Sequence, residues 1–334
     1  MGRRGWLGAG LAVGAVGVWA TLAPGGRPVA PGSGADDGAE VVGERRRGHR
    51  VLDLTVRSPV LPVPAHVRLL LPPGWSREAG RTWPVLWLLH GAGDGPAAWT
   101  DRTDIAALTA GRDVIVAMPD GGPCALYTDW WNHGSGGPPC WETFHLVELR
   151  QILERGYGAG ARRAVAGAGL GGLGALAYAA RHRGLFEAAA CFSGHPHLLR
   201  EDPAGLDAAD LVELAVLVGG AGADWTDVWG DPRGQRVLWR QHDPHELADR
   251  LAGVRVYVSA GDGGPGPLDP RPAAGPDVVE ALARAGSADF TGKLARLGVP
   301  ATRHFYAGTG GWPYWRRELA AALPLLVDGA AAGL

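Results

Sequence analysis

The stretch Arg163-Ala164-Val165-Ala166-Gly167-Ala168-Gly169-Leu170-Gly171-Gly172-Leu173-Gly174-Ala175-Leu176 constrains this chain more than any other. Small apolar residues run into a glycine-dense turn and out into a helix-forming tail, so it predicts a strand, a sharp turn and a helix. Glycines packed this densely mark a place where the backbone bends hard or approaches another backbone closely.

Two known patterns compete for these glycines. Gly167, Gly169 and Gly172 spell G-x-G-x-x-G, the dinucleotide fingerprint, which needs an acidic residue at the end of the next strand to hold a ribose. That strand, Ala188-Ala189-Ala190-Cys191-Phe192-Ser193-Gly194, ends without a carboxylate, and the run lies in mid-chain behind earlier strands. The other pattern is the G-x-S-x-G elbow of an α/β hydrolase, which lifts a nucleophilic serine above the sheet. Here the flanking glycines are spaced correctly, but the residue at the apex is Gly169.

The rest of the chain reads as one α/β domain. Val51–Val56 and His66–Leu71 predict a first hairpin. The continuous apolar runs Trp83–Leu89 and Asp113–Met118 predict central parallel strands, buried on both faces. Helical patterns at Trp141–Tyr157 and Leu173–Arg183 alternate with them, late strands fall at Val254–Ala260 and Thr302–Tyr306, and a closing helix runs from Trp312 to Val327. Such alternation predicts a mostly parallel sheet with helices on both faces. The domain is placed at 49–330, with a lid-like insertion at about 196–249, where periodicity is weak.

Upstream, Arg3 and Arg4 precede an uncharged apolar run to Ala23, the layout of a signal peptide or N-terminal membrane anchor over 1–23. Residues 24–48 are rich in Gly, Pro and charge, and read as a disordered linker. Export, or anchoring to the outer face of the cytoplasmic membrane, is therefore expected, with membrane contact only through this first segment. A net charge of −2 argues against a nucleic-acid partner. Lys293 is the only lysine, so the positive charge is almost all arginine. Three cysteines exclude a disulfide-dense scaffold, and none has zinc-like spacing.

Several local signatures carry a resemblance. They are Leu88-Leu89-His90-Gly91, Met118-Pro119-Asp120-Gly121-Gly122, Tyr127-Thr128-Asp129-Trp130-Trp131, Trp141-Glu142-Thr143-Phe144, Val228-Trp229-Gly230, Asp243-Pro244 and Gly308-Thr309-Gly310-Gly311-Trp312-Pro313-Tyr314-Trp315. In this order they resemble the esterase branch of α/β hydrolases that includes the antigen 85 mycolyltransferases of actinobacteria. The resemblance implies an α/β-hydrolase fold and serine, histidine and carboxylate chemistry with no cofactor. Carried over position by position, it puts the nucleophile on Gly169, the base on Gly310 and the acid on Glu280. The oxyanion donors become the N–H groups of Ala92 and Leu170. Two of the three catalytic side chains are thus absent. Ser193, His195, His197, His304 and Asp262 lie near strand ends, but none sits on an elbow.

The expected function is that of an inactive family member binding a glycan, lipid or acyl ligand, or a protein. The alternative is an ester hydrolase or acyltransferase with a displaced nucleophile. His90, Tyr127, Trp130, Trp131, Trp229 and Trp312 are the expected cleft residues, with His90 holding the oxyanion loop. Cys124 and Cys140 bracket the Tyr127–Pro139 loop of a chain expected to be exported, and are expected to pair because such a loop is costly to order; the related mycolyltransferases have a disulfide in this neighbourhood, but not with both cysteines at these positions. Cys191 is expected as a buried thiol.

Overall fold

Nine strands form one sheet among the residues described by the computed structural model, which are 34–122, 124, 126–201, 208–218, 223–270 and 275–329. In chain order they are β1 (Glu40–Arg47), β2 (Val51–Arg57), β3 (Ala65–Leu70), β4 (Trp83–Leu89), β5 (Ile115–Pro119), β6 (Ala159–Ala168), β7 (Ala188–Phe192), β8 (Arg255–Gly261) and β9 (Ala301–Tyr306). Across the sheet the order is β1-β2-β3-β5-β4-β6-β7-β8-β9. The pairs β1–β2, β2–β3 and β3–β5 are antiparallel, and every later pair is parallel.

The helices are α1 (Ala98–Arg102), α2 (Ile105–Leu108), α3 (Trp141–Thr143), α4 (Arg150–Gly156), α5 (Leu170–Arg181), α6 (Ala208–Val218), α7 (Thr226–Trp229), α8 (Arg236–His242), α9 (Val278–Arg296) and α10 (Trp312–Leu323). A wider π-helical segment, Phe144–Leu149, joins α3 to α4, so the predicted helix over 141–157 is continuous but not uniformly wound.

The apolar runs become central strands because side chains alternate between the two faces of a sheet. Val85, Trp87 and Leu89 enter one core layer with Leu176, Phe290 and Leu294. Leu86 and Leu88 enter the other, with Leu319 and Leu323 of α10. Both layers are buried, and each large side chain so buried stabilises the fold by about 1.5–3 kcal/mol relative to exposure. A third cluster joins Val212, Ala215 and Val216 of α6 to Val228, Trp229 and Trp239. The insertion expected at 196–249 therefore has a core of its own, which also takes in Leu173, Cys124 and Leu126.

Two expectations need correction. The linker assigned to 24–48 ends earlier, because Glu40–Arg47 is strand β1, paired along β2 from Glu40 opposite Arg57 to Arg47 opposite Val51. Residues 24–33, like the 1–23 segment, lie outside the described residues. The expected Cys124–Cys140 disulfide is absent, and both are free thiols. Cys124 is buried in the third cluster, whereas the Cys140 thiol donates to the carbonyl of Gly137 at 3.2 Å. Cys191 is a fully buried free thiol, and burial pushes its pKa up to about 12.

Candidate functional site

The turn between β6 and α5 is a strand-to-helix elbow with Gly169 at its apex, at φ 55° and ψ −125°. This lies in a region that side-chain-bearing residues occupy only with strain. Its flanking glycines are there for space. A Cβ on Gly167 would stand 2.2 Å from the carbonyl oxygen of Gly171, and one on Gly171 would stand 2.4 Å from that of Leu89. At Gly169, by contrast, the nearest atom to an added Cβ is the Cα of Gly91 at 4.0 Å. Space at the apex is open, and only the backbone angles disfavour a side chain.

Around this apex lies a cavity of about 300 Å³. Gly91, Ala92, Gly169, Leu170, Glu280 and Gly310 all line it, so the expected nucleophile, oxyanion, acid and base positions come together in one place. The backbone N–H groups of Ala92 and Leu170 have no acceptor within the described part of the chain. Leu170 opens α5, a helix of 12 residues, so its N–H carries the positive end of the helix dipole. Two such donors suit the oxygen of a polarised carbonyl or a carboxylate.

Glu280 sits in the first turn of α9 and is 3% exposed. Its Oε1 accepts from the Ser193 hydroxyl at 2.9 Å and from the Gly261 N–H at 2.5 Å. Burial raises its pKa to about 7, against the pull of those two hydrogen bonds, and the neighbouring charge of Asp277 raises it further. Its other oxygen, Oε2, lies 2.9 Å from where a Cβ on Gly310 would be. The expected acid therefore adjoins the expected base position directly.

Asp277, which sequence reasoning missed, ties the two together. As N-cap of α9 it accepts the Glu280 N–H on Oδ1 at 3.0 Å, while its Oδ2 accepts the Gly310 N–H at 3.0 Å. The signal was present as Asp277-Val278-Val279-Glu280, an acidic N-cap with glutamate three positions on, the spacing of a capping box. Also on the cavity wall are Ser193, His195 and Trp315, with Leu211, Leu214 and Ala215 of α6 closing it from the insertion side. His195 is 7% exposed, and burial pulls its pKa down to about 4, so it is a neutral imidazole.

The expected cleft residues do not line the cavity. His90 is buried and braces the oxyanion loop. Its Nε2 accepts the Gly121 N–H at 3.1 Å, so its Nδ1 carries the proton toward the Gly91 carbonyl at 2.8 Å. Tyr127, also buried, donates to the His90 carbonyl at 2.9 Å. Behind it, His145 bridges the Tyr178 hydroxyl at 2.9 Å and the Asp120 carbonyl at 2.7 Å. Trp229 belongs to the third cluster and donates to Thr128, Trp130 packs against that cluster, and the backbone N–H of Trp131 donates to Val228. Trp312 stacks edge-on with Trp99 and Trp315, and of these aromatics only Trp315 reaches the cavity. Of these residues, Tyr127 and Trp229 are buried in the packing, and Trp130, Trp131 and Trp312 are partly buried.

Other polar residues near strand ends are accounted for locally. Asp262 accepts the N–H groups of Gly264 and Gly308, shaping the turn that leads toward Gly310. His304 pairs with Glu318 at 2.9 Å, and His197 stacks on His245 at 3.7 Å. Neither histidine lines the cavity. The dinucleotide reading fails on electrostatics as well, since a pyrophosphate at the α5 N-terminus would face Asp277 and Glu280.

Comparison with known proteins agrees with this geometry. The family model described as "Putative esterase" matches residues 58–326. Esterase Rv1288 of Mycobacterium tuberculosis is 36% identical over 249 residues, covering 72% of this chain and 51% of that protein, so the chain spans about half the length of this relative. A diacylglycerol acyltransferase/mycolyltransferase, Ag85A of Mycobacterium ulcerans, is 31% identical over 264 residues and 74% of each chain. Among solved structures, Mycobacterium tuberculosis MPT51 superposes with a TM-score of 0.62 at 28% identity, covering 82% of this chain and 97% of that one. Elbow, sheet order and family match agree, and the chain belongs to the esterase family of α/β hydrolases that includes the antigen 85 mycolyltransferases.

Proposed function

We propose that this protein is a catalytically incompetent esterase-family member that acts by binding a cell-envelope glycan, lipid or protein in or around its vestigial active site. One observation carries the reading. The elbow apex and the position facing the acid are both glycine, while the oxyanion donors, the acid and an open cavity remain assembled around them. Without a nucleophile and base, an oxyanion hole and binding alone give roughly 10³–10⁴-fold over water in the serine-protease case, too little for a working esterase. The apolar wall from Leu211, Leu214, Ala215 and Val279 favours a small acyl- or alkyl-bearing group in the cavity itself. Export by the 1–23 segment belongs to the same proposal; within the described residues, no helix is long and apolar enough to cross a membrane. The test is a fluorophosphonate probe on the purified protein: no covalent adduct by intact mass supports the reading, and stoichiometric labelling overturns it.

A second reading rests on Ser193, whose hydroxyl points at a carboxylate of pKa about 7 inside the cavity. As a displaced nucleophile it has Glu280 as its base. Against this, a carboxyl group is a weak base for a serine hydroxyl, and the Trp315 indole N–H already donates to Oγ at 2.9 Å. Labelling that disappears in Ser193→Ala would establish the second reading over the first.

A further inference from the structure

Among its described residues, the cavity wall holds acid without a compensating cation. Among the described residues that line it, Asp277 and Glu280 are the carboxyl groups, His195 is the imidazole, and there is no Lys or Arg. Glu280 is almost completely buried, yet its Oε2 accepts no hydrogen bond among the described residues and faces the empty space beside Gly310. Neither ring nitrogen of His195 has a hydrogen-bond partner among those residues, though the side chain is more than nine-tenths buried. A polar group facing a cavity is available to pair with a ligand, and an ionised carboxylate there is stabilised by an opposite charge. Glu280 Oε2, on the side of Gly310, and the His195 ring thus open onto the cavity without a partner among the described residues, while the N–H groups of Ala92 and Leu170 line it beside Gly169.

Resting on the reading that the site binds and does not hydrolyse, we propose that the cavity is a receptor for an organic cation, a protonated amine carrying a short apolar chain. The ammonium group sits beside Gly310, donating to Glu280 Oε2 and to the free lone pair of the neutral His195, with Asp277 adding a second negative charge. A quaternary ammonium lacks the N–H groups these acceptors require, so the preference is for a protonated amine. The chain lies along Leu211, Leu214 and Val279 toward the mouth, where Leu214 and Val279 are 39% and 44% exposed. The side-chain-free Gly310 is what leaves room for the head group.

The experiment is calorimetric titration of the full-length protein at pH 8 with hexylammonium, hexyltrimethylammonium, hexanol and hexanoate. The expected result is that hexylammonium binds about ten-fold or more tightly than each of the other three, a hydrogen-bonded charge pair being worth at least that factor. The preference should collapse in Glu280→Gln. Because that substitution alters a buried group, Val279→Lys serves as the second variant. It sets an ammonium on the exposed rim and should weaken hexylammonium binding several-fold in a protein that melts like wild type. Equal affinity for hexanol and hexylammonium, or a preference for hexanoate or the quaternary ion, overturns the cation assignment while leaving a ligand-binding cavity intact. No binding by any of the four removes the cation assignment and the case for a small-ligand cleft together.

Discussion

Ser193 donates its hydroxyl to Oε1 of Glu280 at 2.9 Å, in a site where the position facing the other oxygen of that carboxylate has no side chain. The Glu280 carboxylate is thus oriented by a serine and by the Gly261 N–H. Ser193 also accepts from the Trp315 indole, so one hydroxyl joins β7, α9 and α10. Ser193→Ala should therefore leave the Trp315 N–H unpaired and weaken the hold on Glu280. The expected loss is about 1–3 kcal/mol in urea denaturation. A neutral substitution would show that the bond contributes nothing to the fold.

On the proposed assignment of Gly169 and Gly310, serine and histidine placed there should give chemistry only in combination. Gly169→Ser has room for its Cβ, but an unassisted hydroxyl is a poor nucleophile near neutral pH. Gly310→His brings a Cβ to 2.9 Å from Glu280 Oε2, so the carboxylate has to swing aside by a few tenths of an ångström before it can orient the ring. On a short activated ester, each single variant should stay near wild type, and the double should exceed the product of the singles, because triad members act as a unit. A folded double variant as slow as wild type would refute the assignment of these two positions.

The raised pKa of Glu280 makes stability depend on pH in a defined direction. In the folded protein the carboxyl titrates at about 7, against 4.5 in the unfolded chain. Between these values the native state holds a proton that the unfolded state has lost. This group's contribution to stability therefore falls as pH rises from about 4.5 through about 7 and is level above that. At about 1.4 kcal/mol per unit, the full swing is on the order of 3 kcal/mol. Glu280→Gln cannot ionise, so it should be more stable than wild type at pH 8, with the gap reduced to about a quarter by pH 5. Glu148 and Asp243, pushed up to about 7, and His145 and His242, pushed down to about 4, titrate in both proteins and cancel in the difference. A gap that does not change with pH would show that Glu280 titrates normally.

Alanine at the elbow glycines should separate steric from conformational cost. Gly171→Ala drives a methyl into the Leu89 carbonyl, a backbone atom that cannot step aside, and should unfold the domain or cost more than about 4 kcal/mol. Gly169→Ala meets no atom closer than 4.0 Å and carries only the strain of its backbone angles, about 1–3 kcal/mol. Equal losses in thermal or chemical denaturation would contradict the open apex.

Three free thiols should be found by alkylation and intact mass under denaturing, non-reducing conditions. In the folded protein Cys140 should react first, because Cys124 and Cys191 are buried. Even so it should react slowly, since its own pKa is raised to about 11, by burial first and then by the nearby Asp129 and Glu148. A mass two units light would restore the Cys124–Cys140 pair.

What could be read from the sequence, and what could not, follows from burial. The strand Trp83–Leu89 is legible to the residue because a parallel strand covered on both faces has to be apolar throughout. Strand β1 is not, because it is an edge strand whose outer positions are charged, and Val41 is the only residue in it that is buried. Its Arg45, Arg46 and Arg47 have the composition of a linker and the geometry of a sheet margin. In the site, Gly169, Gly310 and Glu280 follow from ordered motifs, whereas the inward packing of Trp229 and the distance of Trp131 from the cavity depend on how the insertion folds. Asp277 carried a readable cap signal, but its second bond, to Gly310 33 residues away, is a tertiary fact.

The open apex at Gly169 also bears on how such a chain can change over time. Exchange of serine for glycine in an elbow relieves strain, so drift away from catalysis runs downhill in stability and needs no compensating change nearby. The return runs uphill but meets no steric wall, since Gly167 and Gly171 still hold the strand and helix at the spacing an elbow requires. A fold that keeps those two glycines keeps the shape of an elbow, so a change of residue at the apex is enough to place a hydroxyl there.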